Sequence, residues 1–220
     1  MLLAVDTSSA SVTVAVADGA PGRRGRVLAS GARVDAGHHA ELLSPLVQQV
    51  CREAGVLPAA LTTVAVGVGP GPFTGLRIGI VTARALAVAT GAASLGVCSL
   101  DVLAAAAGAA PVAVEFLVVA DARRREVYWA RYAIVAGRPQ RVAGPAVDQP
   151  AAVPGAAYLP AVGHGAVLYP DVFTRMVDGA PVHPDAAVLA AAVMDGTVEL
   201  LPTDPLYLRR PDARPAAPRE

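Results

Sequence analysis

Leu2-Leu3-Ala4-Val5-Asp6, four residues, then Ser11-Val12-Thr13-Val14-Ala15-Val16 opens the chain. The pattern returns as Phe116-Leu117-Val118-Val119-Ala120-Asp121, four residues, then Glu126-Val127-Tyr128-Trp129-Ala130-Arg131-Tyr132. In both copies an apolar, β-branched run delivers an aspartate into a tight turn before an alternating strand. Each copy reads as a β-hairpin, and the repetition reads as a duplicated unit. Outward from the first hairpin, a Gly/Arg-rich loop at 19–25 leads to a third strand at 27–34. A helix follows at 39–53, with Leu42, Leu43, Leu46, Val47 and Val50 at helical spacing and Pro45 near its first turn. A short strand at 64–68 runs through Gly69-Pro70-Gly71-Pro72-Phe73-Thr74-Gly75 into a helix expected over 76–90, with Ile78, Val81, Leu86 and Ala89 as its core stripe. A strand at 95–98 and a helix at 100–107 ending at Gly108 complete the first half.

Beyond the second hairpin the signals thin out. Residues 137–160, rich in Pro, Gly and Ala, are expected to be loop with one edge strand; 161–166 read as a strand running into a glycine turn, and 185–194 as a helix. The chain therefore divides into an N-terminal subdomain at 1–108, a smaller C-terminal one at 109–210 and a flexible tail at 211–220.

Composition narrows the function classes. An apolar fraction of 54% over 220 residues supplies ample core, and it comes largely from alanine and valine. The longest uncharged stretch, 54–76, contains Pro58, Pro70 and Pro72, so no helix spans a bilayer through it, and the early Asp6 with no basic lead-in argues against a signal peptide. A cytoplasmic protein without membrane contact is expected. All 18 basic residues are arginine and balance 18 acidic ones, which gives no general attraction to nucleic-acid phosphates. Cys51 and Cys98 lack CxxC spacing and read as small core residues.

No catalytic constellation emerges from the residues. Asp6 is either a turn residue bonding its own backbone or a nucleotide or partner contact; Asp121, beside Arg123, Arg124 and Arg125, is either ion-paired within its turn or part of an anion site. Neither turn carries the glycines that let backbone N–H groups approach phosphate. The 69–75 loop joins a strand to a helix N-terminus, a geometry suited to anions, but it lacks the Gly-Lys-Ser/Thr ending of a P-loop and its prolines remove donors. His38 and His39 lack the i, i+4 spacing of a helical metal pair; His164 and His183 stand alone and read as structural, and at least one of Tyr128 and Trp129 as core. No metal site is expected.

Two hairpins with a turn aspartate and a later Gly-x-Gly resemble the duplicated α/β fold of actin, hexokinase and Hsp70 (the ASKHA, RNase H-like class), with two subdomains each holding a mixed sheet and packed helices. Five segments, in order, resemble the motifs of the TsaB (YeaZ) family: His39-Ala40-Glu41-Leu42-Leu43, the run from Gly69 to Gly79, Gly96-Val97-Cys98-Ser99-Leu100, Asp121-Ala122-Arg123-Arg124-Arg125-Glu126-Val127-Tyr128 and Pro205-Leu206-Tyr207-Leu208-Arg209. That resemblance implies a non-catalytic scaffold that pairs with the catalytic paralogue TsaD in installing threonylcarbamoyladenosine at position 37 of tRNAs reading ANN codons. It also implies a TsaE-like ATPase reached through the complex, a homodimer of similar geometry, and tRNA contact that is indirect or weak. TsaD carries a His-x-x-x-His motif where this chain has no histidine between Leu76 and Asp101. The expected partner face takes His39, Leu43, Val47, Arg77, Ile80 and Arg84. Candidate nucleotide contacts are Asp6, Thr7, Ser8, Gly69, Gly71, Thr74 and Gly75, with ATP or ADP held at the junction with the partner and no cofactor bound stably. Pro72 stands where the family usually has serine. The rival readings are a small-molecule kinase or ATPase of the same fold, and a metallopeptidase.

Overall fold

The central strand β1 (Leu2–Asp6) is buried along its whole length, as its unbroken apolar run requires of a strand covered on both faces. In this computed structural model, which describes residues 1–35, 37–108 and 114–209, β1 pairs antiparallel with β2 (Ser11–Ala20) and parallel with β4 (Thr63–Gly67). With β3 (Arg23–Val34) and β5 (Ala93–Val97) they form a five-stranded sheet in the order β3-β2-β1-β4-β5. The second sheet repeats that arrangement as β8-β7-β6-β9, from β6 (Glu115–Asp121), β7 (Val127–Val135), β8 (Arg138–Asp148) and β9 (Ala161–Val162). β6, like β1, runs antiparallel to the strand after it and parallel to a later one. The duplication read from the two hairpins is thus a duplication of topology, and the fold is the actin-like one.

Side chains alternate across β1. Leu3 and Val5 pack under α1 (His39–Glu53) and α2 (Phe73–Thr90), while Leu2 and Ala4 face α5 (Ala186–Met194) and Val102 of α3 (Ser99–Ala107). α5, assigned from sequence to the second half, therefore covers the first sheet; Asp185 caps it by accepting the Ala187 N–H at 2.6 Å. α2 begins three residues earlier than expected, because the residues after Pro72 already take helical geometry. Its buried face is Gly75, Leu76, Gly79, Ile80, Ala83 and Ala87, which corrects the expected stripe: Val81 is 62% exposed and Ala89 is exposed too. Small residues share this face with Leu76 and Ile80 and let the helix lie close to the sheet, while Ile78 and Leu86 pack at its margin. α2 is long and apolar enough to cross a bilayer, but this face is seated on the sheet.

β8 is a full edge strand, longer than the loop-rich composition suggested, and an edge position tolerates Pro139 and Pro145. Gly163, at φ +98°, turns β9 into the short helix α4 (His164–Leu168). Both cysteines, Tyr128 and Trp129 are buried. The tail expected at 211–220 lies outside the described residues.

The halves meet through α3, whose Leu100, Leu103, Ala104 and Ala107 pack on Phe116, Val118, Ala130 and Tyr132. At the rim of this contact Tyr132 Oη donates to Asp101 Oδ1 (2.6 Å), and Arg141 donates to both Asp101 oxygens (3.0 and 3.1 Å) and to Glu199 (3.1 Å). Burial pushes the Asp101 carboxyl up, against the Tyr132 bond and the Arg141 charge. Replacing Arg141 with methionine strands a largely buried carboxylate, so a loss of about 2–3 kcal/mol is expected by urea unfolding. Because protonating Asp101 removes the stranded charge, the loss should be larger at about pH 8 than at about pH 5.

Candidate functional site

Two surfaces hold the residues with chemical potential: the cleft between the hairpin turns, and the outer side of α2 with the strap that crosses it. The cleft is built on the first turn. Asp6 ends β1 with no accessible surface, its Oδ1 accepting from Ser8 N (2.8 Å) and Ser8 Oγ (2.7 Å) and its Oδ2 from Ser99 Oγ (2.7 Å). Burial raises the Asp6 pKa, and these bonds, Ser8 first, pull against it. Thr7, equally inaccessible, donates through Oγ1 to the carbonyl of Gly75 in the first turn of α2 (2.7 Å). His39 lies 2.8 Å through Nε2 from the Ser9 carbonyl; a carbonyl only accepts, so Nε2 carries the proton.

The glycines of the 69–79 run let this turn sit against α2. A Cβ on Gly71 would collide with the Ser8 carbonyl, and one on Gly79 with Thr7 Oγ1. Most of the residues expected to touch nucleotide therefore do not face the cleft. Asp6 and Thr7 are sealed, Gly71 and Gly75 are pressed against the turn, Gly69 is buried, and Thr74 faces outward on α2; Ser8 alone of the seven lines the cleft. Gly71 and Gly79 serve the close approach of the loop and α2 to the turn.

The cleft measures ≈ 160 Å³. Pro70, Pro72, Leu100, Leu103 and Val182 are among its apolar lining, and Ser8, Ser9, Asp121, Arg123, His164 and His183 among its polar lining. The two histidines, isolated in sequence, come together with ring centroids 5.2 Å apart. Their juxtaposition depends on β9 turning at Gly163 and on the His164 N–H reaching the Val182 carbonyl (3.0 Å), which no local signal announces. Across the cleft the Asp121 carboxylate accepts the Arg123 N–H (2.7 Å) and pairs with its guanidinium (3.4 Å). Among the described residues no group of three or more His, Cys, Asp or Glu is placed to hold a metal.

The residues of the expected partner face divide into buried and exposed sets. Leu43, Val47 and Ile80 are 1%, 7% and 3% exposed, and His39 is buried; side chains consumed by the chain's own core have little area to offer another protein. Arg77 and Arg84 do lie outside, gripped by residues 203–207. Arg84 donates to Thr203 Oγ1 (2.9 Å), the Thr203 carbonyl (2.8 Å) and Asp204 (2.6 Å). Arg77 lies over the Phe73 ring (3.7 Å) and donates to Tyr207 Oη (3.0 Å), while Tyr207 stacks on Phe73 (5.2 Å). The strap also pairs with the sheet edge, Leu201 with Gly96 and the Leu206 N–H with the Val68 carbonyl, and ends with Arg209 on the Ala122 carbonyl and Glu126. Its anchoring role was missed from sequence; the signal available was Pro205-Leu206-Tyr207-Leu208-Arg209, a segment unlike the Pro/Ala/Arg-rich residues after it.

Residues 33–174 match the family model described as TsaD, tRNA N6-adenosine threonylcarbamoyltransferase. An uncharacterized protein of Mycobacterium leprae is 42% identical over 98% of this chain, which spans 56% of that relative's length. The tRNA threonylcarbamoyladenosine biosynthesis protein TsaB of Escherichia coli is 38% identical over 43% of this chain and 41% of its own. Among solved structures, YeaZ from Pseudomonas aeruginosa superposes with a TM-score of 0.76 at 33% identity, over 94% of this chain and 99% of that one.

Gly79→Ala should keep the secondary structure yet lose about 1–3 kcal/mol by overpacking against Thr7, measured by the urea midpoint and circular dichroism. An unchanged midpoint would detach α2 from the turn.

Proposed function

Because the chain belongs to the TsaB (YeaZ) family, we propose that it serves the biosynthesis of tRNA threonylcarbamoyladenosine as the non-catalytic subunit that binds and activates a TsaD-like transferase. The observation that carries this reading is the outer face of α2. Phe73, Val81 and Val88 are 41%, 62% and 86% exposed and, with Arg77 and Ala85 between them, make a stripe at near-i, i+4 spacing. Tyr207 extends it from the strap. An apolar stripe on a helix whose other face is already seated in the core is the anchor pattern of helix packing between proteins.

The partner face is thus the outer side of α2, rather than the buried residues singled out from sequence. The same stripe would serve a homodimer when the partner is absent, and a TsaE-like ATPase joins through the complex. A formal net charge of zero supports tRNA contact that is indirect or weak, with the modification of adenosine 37 in ANN-reading tRNAs carried out by the partner. ATP or ADP would contact this chain at the junction with the partner, since the cleft between the hairpin turns, ≈ 160 Å³, is below the roughly 300 Å³ at which pockets for larger ligands begin. The setting is the cytoplasm.

The test is to mix the purified chain with the TsaD-like protein of the same organism and weigh the product by size exclusion with light scattering. A stoichiometric complex on which threonylcarbamoylation depends is expected. The double substitution Val81→Asp, Val88→Asp should abolish the complex and reduce modification to the level of the partner alone, with the fold intact. Leu43→Ala should instead cost about 2–5 kcal/mol of stability through the core. A double variant that still binds would remove α2 from the interface.

A further inference from the structure

The cleft is separate from the α2 stripe, and three features in it are unexplained by partner binding. First, His183 Nδ1 is buried and has no hydrogen-bond partner among the described residues. A buried polar atom left unpaired costs about 1–3 kcal/mol, and Nδ1, which has no accessible surface, meets a partner in the cleft only after the ring turns.

Second, the His164 and His183 rings lie against each other at 5.2 Å. Burial, followed by the nearby His164, holds the His183 pKa below the usual imidazole range. Two imidazolium charges at that separation repel by roughly 3 kcal/mol at an effective dielectric constant of about 20, a cost that a neighbouring anion removes.

Third, Arg123, Arg124 and Arg125 are three consecutive non-glycine residues with positive φ (61°, 54° and 61°). Left-handed backbone costs roughly 1–2 kcal/mol per residue, and outliers of this kind concentrate where a ligand is gripped. The turn is held by its own bonds, Ala122 N to the Glu126 carbonyl and Glu126 N to the Arg123 carbonyl, with Arg209 clamping it from the strap. Arg123 lines the cleft with a largely exposed side chain, and its one guanidinium contact among the described residues, with Asp121, leaves most of its five N–H donors to be used.

We infer that the cleft is a binding site for a small oxyanion with at most a short apolar body, its charged end held by Arg123 and the His164–His183 pair and its body against the Pro70, Leu100 and Leu103 wall. The volume, ≈ 160 Å³, suits a ligand of that size. The charged and titratable groups lining the cleft are Asp121, Arg123, His164 and His183. Asp6 lies behind Ser8 and Ser99, and Asp185, next along from Pro184, is occupied in capping α5.

Anion binding favours protonated His183, so it takes up a proton. The sign follows: the anion raises the His183 pKa from its lowered free value, so binding strengthens as pH falls through the imidazole range and weakens above it.

The experiment is isothermal titration of the full chain with sodium sulfate and, separately, sodium butyrate, probes that keep their charge between about pH 6 and pH 8, in buffers of different ionisation heat. Saturable one-to-one binding with proton uptake at about pH 6, at least tenfold weaker at about pH 8 (1.4 kcal/mol), is expected. Arg123→Ala and His183→Asn should each weaken it by a similar factor without altering the circular dichroism spectrum. Should His183→Asn fail to fold, the histidine C2–H resonances of the unsubstituted chain, shifting with either probe, supply the same answer. Sulfate binding alone would mean that only the charged end is read; tighter butyrate binding would place the ligand's body on the apolar wall. Absence of saturable binding by both probes, affinity indifferent to pH, or binding that survives Arg123→Ala would overturn the site. Complex formation through α2 can fail or succeed independently of all these outcomes.

Discussion

The turn at Asp6–Ser9 is pressed so tightly between three elements that the first half of the molecule is arranged around it. Thr7 reaches Gly75 at the start of α2, His39 reaches Ser9 from the start of α1, and Ser99 at the start of α3 closes on Asp6. Three helix N-termini therefore converge on one four-residue turn. The convergence requires glycine at 71 and 79, where any Cβ would strike the turn. A carboxylate in such a place is stable only because each side is met by a donor, and burial raises its pKa despite them. The polar groups of this turn are met by the protein itself, which fills the space around it.

That filling has a structural consequence. With the turn locked to α2, the helix has one face fixed on the sheet and the other free, and the strap draws Arg84, Arg77 and Phe73 into an ordered row. The strap then continues to Arg209 at the tip of the second hairpin. The outer face of α2 and the far wall of the cleft are thus joined by one short run of chain.

The second half repeats the topology of the first without repeating its lock. Asp121 holds the Arg123 N–H as Asp6 holds that of Ser8, but it is partly exposed and its turn is made of arginines in left-handed geometry. One turn became a sealed hub, and the other a charged tip over the cleft. Duplication gave the halves a common frame; the side chains at the two turns gave them different roles.

Much of this was legible in the residues. The two aspartate-ended apolar strands determined the duplicated sheets, because a central strand buried on both faces needs an unbroken apolar run. The periodicity of 39–53 determined α1, the helix at 185–194 was expected as α5, and the 69–79 run marked the loop that locks the first turn. What the sequence could not express was which side of each helix would be used up. Leu43, Val47 and Ile80 are as apolar as Val81 and Val88, and only the docking of α1 and α2 on the sheet decided that the first three are core and the last two surface. Likewise His164 and His183, nineteen positions apart, and Phe73 and Tyr207, far apart in the chain, became neighbours only when the chain closed on itself. Local patterns report what a residue can do; long-range packing decides what remains available for it to meet.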